Sequence, residues 1–161
     1  MSLSSQLRSE SLAKTLELGS ALGILLQPSD VVLLSGDLGA GKTHFTKGIV
    51  KGMGIKNEVT SPTFNILVQY EDSEGTLALN HFDLYRLEAE EELDDIDYFG
   101  HLEEDAVQVV EWGDKFAGAL PEDYLNIDFV VIDEQERILR IDAHGPRSSV
   151  LLKEWLGETT R

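Results

Sequence analysis

A chain of 161 residues with 42% hydrophobic content has room for one core, so a single domain spanning 1–161 is expected, and no apolar run approaches the length of a membrane span. Its 30 acidic against 13 basic residues give a net charge of −17, which repels phosphate backbones over most of the surface and argues against extensive direct binding of nucleic acid. With no cysteine there is neither a disulfide framework nor thiolate or cysteine-zinc chemistry, and residues 1–5 lack a basic-then-apolar leader, so a soluble cytoplasmic protein is the expectation. Ser11 is placed to cap a helix whose apolar residues Leu12, Leu16, Leu18, Leu22 and Leu26 recur at roughly helical spacing before Pro28. Val31, Val32, Leu33 and Leu34 form a short run of buried-strand type, and 43–50 reads as a helix that ends at the glycines 52 and 54. From 64 to 70, Phe64, Ile66, Val68 and Tyr70 alternate with Asn65 and Gln69. A turn at 72–75 leads to a strand over 76–83, which makes an antiparallel hairpin. Residues 87–102 carry Glu88, Glu90, Glu91, Glu92, Asp94, Asp95 and Asp97. A docking face or a metal cluster would be the functional reading, but hard cations need converging ligands rather than a run, so a solvated helix and loop surface is expected. A strand follows at 107–111, a second hairpin joins 125–132 to 137–143, and a short helix over 150–156 closes the pattern.

Between the strand at 31–34 and the helix at 43–50 stands Gly36-Asp37-Leu38-Gly39-Ala40-Gly41-Lys42-Thr43, which fits the phosphate-binding loop pattern G-x-x-x-x-G-K-[ST] in the strand-loop-helix context that the pattern requires. Its glycines let the backbone curl so that successive N–H groups face phosphate oxygens, and the following helix end adds partial positive charge. Lys42 would neutralise phosphate charge and the Thr43 hydroxyl would ligate Mg²⁺. The implied fold is α/β, a P-loop NTPase-like sandwich with a mixed sheet, parallel around the loop and antiparallel in the hairpins, flanked by helices.

Phosphoryl transfer also needs an acid near the metal and a group that orients the nucleophile. Glu111 ends the more apolar strand and is the leading candidate, with Asp83 beside it, because ligands bind at the carboxyl ends of parallel strands. The stretch Ser61-Pro62-Thr63-Phe64 lies where a loop could sense the γ-phosphate, with Thr63 or Ser61 reaching metal or water; it is equally a proline turn before a strand. His81 and His44 are more often packed or exposed than catalytic, and Trp112 either stacks on a base or partner or is a buried aromatic at a strand end.

The phosphate loop, Ser61 to Phe64, His81-Phe82-Asp83-Leu84-Tyr85-Arg86 and Glu111-Trp112, taken in that order, resemble the signature of the bacterial TsaE (YjeE/YdiB) ATPases over about 11–112. The resemblance implies a small Mg²⁺-dependent ATPase that binds ATP and ADP and serves threonylcarbamoyladenosine formation at position 37 of tRNA. It implies TsaB and TsaD proteins as partners, with tRNA met only indirectly through the complex. By position, Lys42 would contact phosphate, Thr43 and Glu111 serve Mg²⁺, Asp83 support metal or water, and Ser61 to Phe64 form a switch-like loop, while His81, Arg86 and Trp112 belong to the motifs without an assigned role. His44 departs from the Thr or Ser common there, and the acidic stretch lacks the family's usual Asp-Pro and internal glycine. A P-loop kinase for a small molecule is the alternative, but such kinases close a basic lid, and Arg86 is the only arginine between the loop and Glu111. A nucleotide-binding adaptor without turnover is the third reading.

Overall fold

The computed structural model describes residues 2–37, 39–56, 59 and 66–159. In chain order these form β1 (Ser2–Ser9), α1 (Leu12–Leu25), β2 (Val31–Ser35), α2 (Lys42–Gly52), β3 (Leu67–Glu71), β4 (Ala78–Asp83), α3 (Glu92–Asp95), α4 (Tyr98–Leu102), β5 (Val107–Glu111), β6 (Tyr124–Val131), β7 (Arg137–His144) and α5 (Pro146–Thr159). The strands make one mixed sheet in the order β1-β7-β6-β2-β5-β4-β3. Its middle is parallel, because β2 pairs with both β5 and β6, and β5 pairs with β4. Its margins are antiparallel: β6 with β7, β7 with β1, and β4 with β3. The Val31 to Leu34 run is buried throughout, as expected of a central strand covered on both faces.

Two apolar layers cover the sheet. One face receives α1, α2 and α5, with Phe45, Ile49, Leu22 and Trp155 packed on Val32, Leu34, Ile127 and Leu139. Phe45 makes edge-on contacts with Phe129 at 5.4 Å and Trp155 at 5.9 Å between centroids. The other face holds Leu33, Phe82, Leu84 and Val110 beneath Leu87, Leu93 and Tyr98. The acidic stretch is therefore more than a solvated surface, since its few apolar residues roof the second core while its carboxylates point outward. Ser11 caps α1 as expected, its hydroxyl accepting from the Lys14 N–H at 3.0 Å.

Two elements differ from the sequence reading. β1 was not expected: with only Leu3 and Leu7 as apolar residues its alternation is faint, and it is held by pairing with β7, which sets Leu3 opposite Ala143 and Leu7 opposite Leu139. The last helix begins at Pro146 rather than 150, because the Asp123 carboxylate accepts from the Arg147 and Ser148 N–H groups and holds its first turn. Among the described residues no helix is long and apolar enough to cross a membrane.

The α1–α2 contact is made by backbone. A Cβ on Gly19 or Gly23 would lie 2.3 Å from the Phe45 or Ile49 carbonyl oxygen, and one on Gly48 or Gly52 would lie 2.2 Å from that of Leu16 or Ser20. Gly48→Ala should therefore force the helices apart and lower stability by about 1–3 kcal/mol, the usual scale of overpacking. Gly157→Ala, in α5 with open space around it, should instead stabilise by about 0.5–1 kcal/mol through helix propensity. Opposite shifts in thermal midpoint would verify the pair of effects, and equal shifts would refute the backbone contact.

Candidate functional site

The phosphate loop leaves the carboxyl end of β2 and turns into α2. Gly36 has φ +134°, and a Cβ there would lie 2.8 Å from the Phe129 carbonyl oxygen, so no other residue fits. Gly41 stands at the N-cap of α2 with φ 106° and no side chain capping the helix, which leaves the first N–H groups of α2 to an incoming anion. The Ala40 N–H closes a turn onto the Asp37 carbonyl at 3.0 Å. Leu38 and the candidate switch residues Ser61, Pro62, Thr63 and Phe64 lie outside the described residues.

Strand register brings the charged candidates together. Glu111 at the end of β5 is opposite Leu34 on β2 and opposite Asp83 on β4, so the two acids are neighbours on parallel strands beside the loop. Glu111 and Lys42 are each 5% exposed, with Nζ 3.7 Å from Oε1. The Lys42 ammonium also donates to the Gly36 carbonyl at 2.8 Å and lies 4.7 Å over the Trp112 ring. His81, fully buried, meets the other carboxylate oxygen of Glu111 at 2.7 Å through Nε2, while its Nδ1 has no hydrogen-bond partner among the described residues. A ring donating from Nε2 leaves at Nδ1 a lone pair rather than a buried N–H without an acceptor, so this tautomer fits the site. His81 thus joins the site as the group that holds Glu111, a role its sequence position alone did not indicate. Asp83 is 3% exposed, and its Oδ1 accepts from the Tyr85 N–H at 3.0 Å.

These groups open onto a cleft of about 350 Å³ lined also by Leu12, Thr43, His44, Glu134 and Arg137. Trp112, with φ 62°, lies against Lys42 and 5.2 Å from the Tyr85 ring, and its indole N–H is buried without a partner among the described residues. Arg86 is exposed beyond β4 and is not among the residues lining the cleft. A helix N-terminus, one ammonium, one hydroxyl and two carboxylates suit a polyphosphate accompanied by a hard divalent cation. The donor set at Thr43, Asp83 and Glu111 is all oxygen, which fits Mg²⁺.

Arg137 escaped the sequence reading. It is 7% exposed at the first position of β7, and its guanidinium donates to the Ala40 carbonyl at 3.0 Å, the Gly39 carbonyl at 3.4 Å, and the Asp133 and Glu136 carbonyls at 2.5 and 3.0 Å. The signal was present: Arg137, Leu139, Ile141 and Ala143 share one face of the strand, and a charge in a core-facing register needs buried partners. The β6–β7 turn that supplies two of them is closed by Asp133. Its carboxylate, accepting from the Glu136 and Gln135 N–H groups, is held below the usual range by those bonds.

Known proteins share this sequence pattern and fold. The family model for threonylcarbamoyl adenosine biosynthesis protein TsaE matches residues 9–139. The tRNA threonylcarbamoyladenosine biosynthesis protein TsaE of Bacillus subtilis (strain 168) is 42% identical over 128 residues, covering 80% of this chain and 78% of that protein. Its counterpart in Treponema pallidum (strain Nichols) is 40% identical over 133 residues, covering 83% and 96%. The crystal structure of Bacillus subtilis YdiB superposes with a TM-score of 0.81 at 32% identity, over 99% of this chain and 98% of that one.

Proposed function

This chain belongs to the TsaE family of threonylcarbamoyl adenosine biosynthesis proteins, and on that premise we propose that it is a Mg²⁺-dependent ATPase that drives this tRNA modification together with TsaB and TsaD proteins. The observation that carries the reading is the convergence of Lys42, Thr43, Asp83 and Glu111 on one cleft at the carboxyl ends of β2, β4 and β5. The α2 N-terminus and Lys42 would receive the phosphates, and Thr43 and Glu111 would hold the metal, with Asp83 at its water shell. A Mg²⁺ held there would supply electrostatic stabilisation of phosphate charge. Glu111, buried and in contact with His81, would orient the attacking water. Catalysis in such a site is mostly positioning, and Arg137, the one arginine among the described lining residues, is bound to backbone carbonyls, so slow turnover in isolation and faster turnover in a complex are expected. Measuring ATP hydrolysis by the chain alone and beside TsaB and TsaD tests the reading. Equal rates in the two conditions would contradict the shared mechanism, and no ATP binding at all would contradict the site.

The charge of −17 carries a separate prediction. Affinity for a polyanion comes from counterions released by Lys and Arg, which are few here. The isolated chain should show no tRNA retention at physiological salt in a filter or gel assay, and tRNA should be met only through the partner proteins. Affinity for those proteins should differ among ATP, ADP and empty states, since Ser61 to Phe64 follow the phosphate-loop helix as switch segments do. Tight tRNA binding by the chain alone would overturn the electrostatic argument.

A further inference from the structure

We propose that Arg137 is a positioning residue for the phosphate loop, pinning the loop's Gly39 and Ala40 carbonyls to the β6–β7 turn so that the loop amides keep facing the anion. The proposal deepens the ATP reading above and rests on it. In a planar trans peptide the C=O and N–H point in opposite directions. Holding the Ala40 carbonyl from Nε at 3.0 Å therefore aims the Gly41 N–H away from Arg137. Holding the Gly39 carbonyl from Nη2 at 3.4 Å fixes the neighbouring peptide, whose Ala40 N–H is bound to the Asp37 carbonyl. Both peptides around Ala40 are thus gripped by a single side chain 97 residues away.

The anchor at the other end is equally specific. Nη1 donates to the Asp133 and Glu136 carbonyls, so the fork spans the phosphate loop and the β6–β7 turn. All four bonds go to carbonyls rather than carboxylates, which leaves the guanidinium charge beside the phosphate cleft it lines. Lysine could supply the charge but not the spread of donors, because its three N–H groups radiate from one nitrogen whereas Arg137 uses three separate nitrogens of a planar fork.

The test compares Arg137→Gln, Arg137→Lys and Arg140→Gln, the last removing the same charge from an exposed position three residues along β7. Two quantities are read: Mg²⁺–ATP affinity by calorimetry, and hydrogen exchange of the Ala40 amide in the ligand-free protein. Arg137→Gln should weaken ATP about ten-fold or more and speed Ala40 exchange by a similar factor, on the scale of losing charge-assisted bonds. Arg137→Lys should recover only part of either, and Arg140→Gln should resemble the wild type in both. If Arg137→Lys restores both fully, or Arg140→Gln weakens ATP as much as Arg137→Gln, the effect is bulk charge and the proposal fails. It fails also if Arg137→Gln lowers the melting temperature alone, with ATP affinity and Ala40 exchange unchanged. Should the wild type not bind ATP, the ATP reading falls by itself, and the exchange of Ala40 still decides for or against the grip of Arg137.

Discussion

Lys42→Ala should lower Mg²⁺–ATP affinity by about 10- to 100-fold, the scale of one charged hydrogen-bonding group lost from a phosphate site. In the ligand-free protein the ammonium is already ordered, between the Gly36 carbonyl, the Trp112 ring and Glu111. Phosphate therefore meets a lysine whose side-chain entropy has largely been spent, which favours binding. The same contacts give the substitution a second signature. Removing the ammonium leaves the Glu111 carboxylate, 5% exposed, with His81 as its remaining close partner, so the ligand-free variant should also melt earlier than the wild type. Calorimetry and thermal melting check the two effects together, and an unchanged ATP affinity would remove Lys42 from the site. Thr43→Ala, by contrast, should reduce mainly the Mg²⁺-dependent part of the affinity.

Glu111→Gln should retain the fold and most ATP affinity while turnover falls about 10- to 1000-fold, the range found when one positioned acid, base or electrostatic group is lost. The amide keeps an oxygen that can accept from His81, so packing at the end of β5 survives, but it cannot hold a divalent cation as a carboxylate does. Asp83→Asn should cost less if Asp83 acts through the water shell, even though register makes it the direct neighbour of Glu111. Single-turnover rates over a Mg²⁺ titration measure both variants. Wild-type rates in Glu111→Gln would clear it of any catalytic part, and a larger loss in Asp83→Asn would make that acid the principal one.

How far the sequence carried this description depends on how local each feature is. The phosphate loop is eight consecutive residues whose glycines, lysine and hydroxyl announce their chemistry, and the flanking apolar run and helix supply the context. Glu111 and Asp83 were legible because each ends a recognisable strand. What escaped depends on register between distant segments. His81 meets Glu111 because β4 and β5 pair in parallel with Asp83 opposite Glu111. Arg137 meets Ala40 because β7 pairs with β6 and β6 with β2, the strand that leads into the loop. β1 was invisible for the same reason, since a strand with two apolar residues is stabilised by its partner rather than by its own pattern. In the acidic stretch the density of carboxylates masked Leu87, Leu93 and Tyr98, the residues that decide which face it covers.

The four glycines between α1 and α2 bear on how the molecule can move. Helices separated by ordinary side chains can shear, because rotamers yield over small displacements. Here carbonyl oxygens sit where side chains would be, so sliding one helix past the other means lifting backbone over backbone. The close backbone contact therefore resists a slide of α2, which starts at Lys42, along α1. If the cleft holds a nucleotide as proposed, its effect on a partner would leave through the ends of β4 and β5, where Asp83 and Glu111 stand side by side.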